Sequence, residues 1–574
     1  MLITKKVFIL ALLGAFLIGG CASRQPELGA RLDEYLTRLA PFGFSGALLV
    51  AKDGEIVINK GYGMAIKAEG IPNTDKTVFS VGSITKQFTA AGIMKLEMQG
   101  KLNTQDPISK YLEGVPEDKQ AITLHHLLTH TAGVLNYTGR DYDAAERDET
   151  VQKILQAPLL FPPGERFEYS NAGYSLLAAI LEIVSGQPYE EYLHGQLFKP
   201  AGMSFTGYRL PHWDERVVAH WYTGGTDNST PLEKPYPYWN LLGNGGILST
   251  TADMHQWILA LGSNAVLSAE ARKKLFTPFL NDYAYGWDVL KTERGTLIKH
   301  DGGSDLGNAA EVRWYADQDV IIVIFCNQDG GTVLFLNGVN EKIETIVFGG
   351  DVAIPPAVVE SDPAALRKFE GHYQLPSGGR FNASVENSLL RFTPVGQDAI
   401  NLLAFPEQDN LSLYSDLNSR SQAIVDGIAR EDLKLLEEAL AHKERIDRYG
   451  QFLSRQLRSF EENLGPTTKL EILGTIPAWW SKNDDVATIV RVNGERGSFI
   501  FRLHWSEDKI IALGGSMISQ PIIVAFAPLT DNVFAGYHIG MAKTMRISFN
   551  TTDGGVVTGL TVHTKTRDVA AQKM

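Results

Sequence analysis

Strand-forming sequence stands at both ends of a long, mainly helical stretch, and this arrangement restricts the fold more than any other feature of the chain. Near the start, Gly46-Ala47-Leu48-Leu49-Val50 and Glu55-Ile56-Val57-Ile58 flank Asp53-Gly54, a dipeptide that accepts the positive φ of a two-residue hairpin. Further strands are read over 285–289, 296–300, 310–315 and 320–326, the last an unbroken apolar run. Between them, 104–260 reads as helices and loops, and a helix over 333–347 is expected to pack on the sheet. An antiparallel sheet assembled from both ends of one segment, with an all-helical part set between, is an α+β domain. The stripe Leu28, Leu32, Tyr35, Leu36, Leu39 predicts one more helix over 28–39.

Composition is that of an ordinary globular protein, and 574 residues leave room for several domains. A net charge of −13 with no basic run argues against nucleic-acid binding. The 13 histidines show no metal-ligand spacing. Residues 1–20 carry Lys5 and Lys6 ahead of an apolar run too short for a membrane span, which ends in Ile18-Gly19-Gly20-Cys21. That ending resembles a bacterial lipoprotein signal box. The resemblance implies a signal peptide over 1–20, lipidation of Cys21, and a cell-envelope location held by the lipid anchor alone. Ala22 after the cysteine implies the outer membrane, facing the periplasm. The one other cysteine, Cys326, sits in the apolar run 320–326 and reads as a buried structural thiol.

Ser83-Ile84-Thr85-Lys86 opens a helix that should run to about Gly100. Side chains three apart share a helical face, so the Lys86 amine can reach the Ser83 hydroxyl, and a serine needs such a base to become a nucleophile. Chance supplies this spacing readily, and Ser506-Glu507-Asp508-Lys509 repeats it. The second copy lies between two strands, in a polar hairpin loop, and reads as a solvated turn.

Further blocks follow Ser83 in order. They are Leu127-Leu128-Thr129-His130-Thr131-Ala132-Gly133, then Phe161-Pro162-Pro163-Gly164 leading to Tyr169-Ser170-Asn171, then Gly243-Asn244-Gly245-Gly246 and His300-Asp301-Gly302-Gly303. The ordered set closely resembles the serine β-lactamase and penicillin-binding-protein superfamily over 30–350, nearest to class C β-lactamases, DD-peptidases and their esterase and peptidase relatives. The resemblance implies Ser83 as acyl-forming nucleophile, Lys86 as its base or proton relay, and Tyr169 as the second proton-transfer group, ionised only if a cation such as Lys86 adjoins it. It implies that Asn171 donates to the substrate, and that the Gly303 and Ser83 N–H groups form an oxyanion hole beside Gly302. His300 and Gly302 share one face of what is expected to be an edge strand, with Asp301 turned away. Classical β-lactamases resemble this sequence but carry lysine where His300 stands. A histidine is only part-charged near neutral pH, which weakens recognition of a substrate carboxylate. The rival Tyr238-Trp239-Asn240 lacks the Pro-Gly lead-in and reads as a loop. His130 reads as a structural hydrogen-bonding residue rather than a catalyst, and His125 and His126 acquire no role.

The expected organisation is a signal peptide over 1–20, a hydrolase domain over 21–355, and a lipocalin-like β-barrel over 363–415 and 516–574. A cone-shaped α+β domain is expected as an insertion over 416–515. Trp479-Trp480 reads as a core or interface pair. The functional expectation is an envelope-anchored serine hydrolase that cleaves ester or amide bonds, D-amino-acid peptides among them, with a small-molecule or peptide substrate and no metal or cofactor. The alternatives are a β-lactamase or DD-peptidase, and a non-catalytic envelope sensor.

Overall fold

The computed structural model describes residues 24–574 apart from 224–225, 235–236, 305, 329–332, 360, 387–388, 405–410, 444–445, 447–448, 451–452, 454–460, 462–464, 479–484, 517–523, 539–542 and 565–566. The expected signal segment with Cys21, and the pair Trp479-Trp480, therefore lie outside the described residues. The chain divides into two compact units, chiefly Gly43–Leu336 and Asn337–Met574.

The first unit is built on a six-stranded antiparallel sheet. Its strands are β1 (Gly46–Lys52), β2 (Glu55–Tyr62), β3 (Asp288–Thr292), β4 (Gly295–Gly303), β5 (Ala309–Tyr315) and β6 (Val320–Cys326). Their order is β2-β1-β6-β5-β4-β3, so both ends of the segment meet where β1 pairs β6, with Gly46 opposite Cys326. Asp53 and Gly54 turn between β1 and β2 with φ of 54° and 77°, as the hairpin signal requires. All seven residues of β6 are buried, which explains its apolar run: a strand covered on both faces does not alternate.

The helices of the first unit include α1 (Thr85–Met98), α2 (Leu124–Leu128), α3 (Asn171–Ser185) and α4 (Thr251–Gly262). Eleven of the fourteen residues of α1 are buried, polar ones included, so it is a central helix rather than an amphipathic surface one. The Ser170 hydroxyl caps α3 by accepting from the Gly173 N–H at 2.9 Å, and Gly186, at φ 70°, ends it. One core cluster joins Phe88 of α1, Leu176 of α3, Trp257 of α4 and Val323 and Phe325 of β6. Helices and sheet thus share a single apolar interior.

Two expectations for the sheet need correction. The strand read over 285–289 begins at Asp288, because Gly286 takes φ 77° and turns the chain first. β4 is not the edge strand, since β3 flanks it over residues 295–299. Only its second half, His300 to Gly303, is free of β3, and its Gly302 and Gly303 lie against Val81 to Ser83, just ahead of α1.

In the second unit, β7 (Gly371–Gln374), β8 (Arg380–Glu386) and β9 (Leu389–Val395) begin a barrel. The chain then leaves it for α5 (Gln397–Ala404), α6 (Leu411–Ile428), α7 (Lys434–Ala439) and a four-stranded sheet of β10 (Thr467–Pro477), β11 (Val486–Gly494), β12 (Gly497–Ser506) and β13 (Lys509–Ser516). It returns as β14 (Val524–Pro528), β15 (Val533–His538), β16 (Lys543–Thr551), β17 (Val557–His563) and β18 (Asp568–Lys573). The barrel has eight strands and closes where β18 meets β7, Lys573 opposite Tyr373. Closure gives each of the eight described strands a neighbour on both sides. One face of the inserted sheet joins the barrel core through Ile489 and Ile500, and the other packs on α6 and α7 through Phe501 and Trp505. Elements outside the barrel start with α5 at Gln397, ahead of the pattern change at 416.

Candidate active site

Ser83 is positioned from three directions. The short strand Phe79–Ser80 pairs with Leu248–Ser249, and the Val81 N–H donates to the Ile247 carbonyl at 2.9 Å. Gly82, at φ 53°, turns the chain into a 3-10 turn over Gly82–Ile84, and α1 follows. Ser83 thus sits at the mouth of a buried helix, half-buried itself, with Lys86 one turn on and fully buried.

The Lys86 Nζ lies 3.0 Å from the Ser83 Oγ, 2.7 Å from the Asn171 Oδ1 and 2.6 Å from the Asn244 carbonyl oxygen. Two of these three partners can only accept, whereas a hydroxyl can donate or accept. A neutral amine satisfies the set by donating both N–H groups to Asn171 and Asn244, which leaves its lone pair aimed at the Ser83 hydroxyl. Burial favours that state. It holds the Lys86 amine well below its ordinary range, against the opposing pull of Asp141 and Asp301.

Tyr169 lies with its ring under the same amine, 4.7 Å from Nζ to the ring centre. Burial pushes its phenol well above the ordinary range, although a hydrogen bond with Ser83 pulls the other way. The sequence made ionisation of the phenol conditional on an adjoining cation; burial instead favours a neutral Lys86 and a Tyr169 that keeps its proton. Asn171 has protein partners at both ends of its amide. Its Oδ1 serves Lys86, its Nδ2 donates to the Asn136 Oδ1 at 3.1 Å, and its own backbone N–H donates to the same oxygen at 3.0 Å. It braces the amine, and one of its two amide N–H groups is committed to Asn136.

The oxyanion side is set by a backbone seam. A Cβ on Gly302 would fall 2.1 Å from the Val81 carbonyl oxygen and 2.6 Å from the Ser83 nitrogen, and one on Gly82 would fall 2.4 Å from the Gly303 nitrogen. Only glycines allow that approach, and it sets the Ser83 and Gly303 amides side by side. The Asn308 side chain ties the two segments, donating to the Ser80 carbonyl at 3.2 Å.

His300 is 4% exposed and bound at both ring nitrogens. Nδ1 lies 2.6 Å from the Asp301 carbonyl oxygen, so it must carry the proton, and Nε2 accepts from the Tyr283 hydroxyl at 3.1 Å. Burial lowers its pKa to about 3. The part-charged histidine expected from sequence is thus a neutral one. Asp301 is turned away, as expected. Lys299 lies 3.8 Å from Asp301 and 3.5 Å from Glu311, which Arg313 pairs at 2.8 Å.

Other marked residues resolve simply. Tyr238-Trp239-Asn240 is a loop in which the Asn240 side chain accepts from Thr138 and donates to the Arg140 and Asp143 carbonyls. His126 completes a capping box with Thr123 at the start of α2, and the His125 Nδ1 meets the Tyr285 hydroxyl at 2.9 Å. Cys326 is buried. Asn136 and Tyr283 were not singled out by sequence, because neither stands at a telling spacing from the residue it serves. Among the described residues, no group of three or more His, Cys, Asp or Glu could hold a metal ion.

The Beta-lactamase family profile matches residues 42–338. Penicillin-binding protein 4* of Bacillus subtilis (strain 168) is 29% identical over 397 residues, which cover 64% of this chain and 87% of that protein. Protein flp of Staphylococcus aureus (strain COL) is 29% identical over 280 residues, 45% of this chain and 55% of its own length, so the chain spans about half of that relative. A crystal structure of a β-lactamase/D-alanine carboxypeptidase from Pseudomonas syringae covers 57% of this chain and 99% of its own, with a TM-score of 0.50 and 18% identity. At that identity the likeness is one of fold.

Proposed function

The chain belongs to the Beta-lactamase family of serine hydrolases, and on that premise we propose that it cleaves ester or amide bonds through an acyl intermediate on Ser83. The observation that carries this reading is the set of partners around Lys86, two that only accept and one reactive hydroxyl, all within 3.0 Å. Neutral Lys86 takes the Ser83 proton as Oγ attacks the substrate carbonyl carbon. The carbonyl oxygen, now carrying negative charge, meets the Ser83 and Gly303 amides. Tyr169 passes a proton from Lys86 to the leaving oxygen or nitrogen, and the acyl-enzyme forms. Water then reverses the proton path, releasing the acid and restoring the Ser83 hydroxyl and the neutral amine.

Neutral His300 supports substrates without a carboxylate beside the scissile bond, that is, esters and internal amides, D-amino-acid peptides included. The likeness to a penicillin-binding protein over 87% of that protein's length favours a second reading, a DD-peptidase or β-lactamase. The two separate on a panel of p-nitrophenyl acetate, a D-Ala-D-Ala peptide and nitrocefin, where the first reading expects turnover of the ester well above the other two. A fluorophosphonate probe should label Ser83; label elsewhere, with Ser83 free, ends the acyl-serine assignment.

We further propose anchoring in the envelope through lipidated Cys21, supported by the box Ile18-Gly19-Gly20-Cys21. Radiolabelled palmitate should enter the protein and be lost in Cys21→Ser. Among the described residues no helix is long and apolar enough to cross a membrane.

A further inference from the structure

His130 holds the chain on both sides of Tyr169. Its carbonyl oxygen accepts from the Glu168 N–H at 2.8 Å, and its ring Nδ1 accepts from the Ser170 N–H at 3.0 Å. Between those two bonds, the imidazole lies against the Tyr169 ring with centroids 4.2 Å apart and planes 34° apart. Three successive residues, Glu168, Tyr169 and Ser170, are thus fixed by one side chain and its own carbonyl. The other side of the cluster is closed by Tyr283, whose ring centre is 4.7 Å from that of His130 and whose hydroxyl binds His300.

Two features tell against a merely convenient packing position. His130 takes φ 55°, a left-handed conformation uncommon for any residue but glycine and somewhat easier for Asn, Asp and His. It is also 1% exposed, with Nε2 buried and without a hydrogen-bond partner among the described residues. Since Nδ1 accepts, Nε2 carries the ring proton and has no group to pass it to. The ring is therefore placed to hold, not to relay. Burial keeps it neutral, well below the ordinary histidine range, so the acceptor at Nδ1 persists.

We propose that His130 is a positioning residue that sets the Tyr169 hydroxyl against Ser83, through the Ser170 N–H and the stacked ring. The proposal rests on the reading of Tyr169 as the proton carrier of an acyl-serine hydrolase. It acts before chemistry begins, by removing rotational freedom from the phenol; displacement of such a group by about 1 Å costs on the order of a hundredfold in rate.

The test is the rate at which a fluorophosphonate probe acylates Ser83, with p-nitrophenyl acetate turnover alongside. His130→Ala should slow acylation about ten- to a hundredfold, with KM for the ester nearly unchanged. His130→Asn keeps an acceptor near the Nδ1 position and tolerates the left-handed backbone, so it should recover most of the rate. His130→Gln moves the acceptor outward and should not. In a Tyr169→Phe background, exchanging His130 for Ala should cost less than twofold, because the group it positions is gone. An equal cost in both backgrounds, or Asn no better than Gln, overturns the proposal; this second comparison stands even where the alanine variant fails to fold. Wild-type protein that takes no label on Ser83 refutes the acyl-serine reading itself, an outcome distinct from either of these.

Discussion

Ser83 to Lys86 and Ser506 to Lys509 have the same spacing, and in both the two side chains are neighbours. In the first pair one helical turn brings them together. In the second, Ser506 ends β12, Lys509 begins β13, and the two residues pair directly across the turn at Glu507 and Asp508. Proximity therefore does not distinguish them. Lys86 is fully buried, and its amine meets two fixed carbonyl acceptors as well as the serine. Lys509 is exposed and reaches the Glu438 carbonyl at 3.3 Å. A lysine becomes a base only where water is withheld and where the neutral amine's two N–H groups already have partners. The environment, assembled from α3 and the Gly243–Gly246 loop, converts a common spacing into a reactive pair.

The comparison can be broken most directly at the serines. Ser83→Ala should abolish fluorophosphonate labelling and lower ester turnover about a millionfold, a scale set by removal of a nucleophile, while Ser506→Ala should leave both rates unchanged. Equal losses would show that the spacing, and not its surroundings, matters. Next in size is Lys86→Arg. A guanidinium stays charged and cannot serve as a base, so acylation should fall about a thousandfold, and Lys509→Arg should have no effect.

Acid sharpens the comparison differently, because each region carries a histidine shielded from water, His300 buried and His504 half-buried. Burial lowers the pKa of His300 to about 3 and that of His504 to about 4. An unfolded histidine takes its proton near pH 6.5, so between that value and the folded one the unfolded chain binds more protons. Stability contributed by these groups is present above pH 6.5 and lost as the pH falls. By pH 4.5 His300 alone should cost about 3 kcal/mol. Thermal melts between pH 7 and 4.5 should show the decline, and His300→Gln should make it shallower for the first unit, where His130, also held neutral by burial, keeps part of it. A melting temperature indifferent to pH over that range would mean that His300 is not held neutral. The smallest effect belongs to the brace: Asn136→Ala should lower acylation about tenfold, by freeing Asn171 from one hydrogen-bonded partner.

Local features were legible in the sequence. The Asp53-Gly54 hairpin, the apolar run that became β6, and the helix opened by Ser83 all rest on residues near in the chain, where periodicity and turn chemistry act. The ordered blocks named the pieces of the site in advance. What escaped was their wiring. Tyr283 reaches His300, and Asn136 reaches Asn171, through contacts that exist only after the sheet and α3 have packed. Charge states escaped for the same reason: histidine has no burial written into its letter, so His300 read as a partial cation, and whether Tyr169 ionises was left to depend on its neighbours. In the second unit, α5 was missed because a short amphipathic helix directly after β9 leaves no change of composition to mark where the barrel is interrupted.

The glycine seam between Val81–Ser83 and Gly302–Gly303 divides the site into a part that selection can rewrite and a part that it cannot. An added methyl on Gly302 would meet the Val81 carbonyl oxygen at 2.1 Å, so even alanine must prise the strand from the helix mouth. New substrate preference has to be acquired elsewhere, on outlying loops such as those that carry Tyr137, 53% exposed, and Phe279, 48% exposed. A mutant library aimed at altered specificity should therefore leave the seam untouched and spend its diversity on those loops.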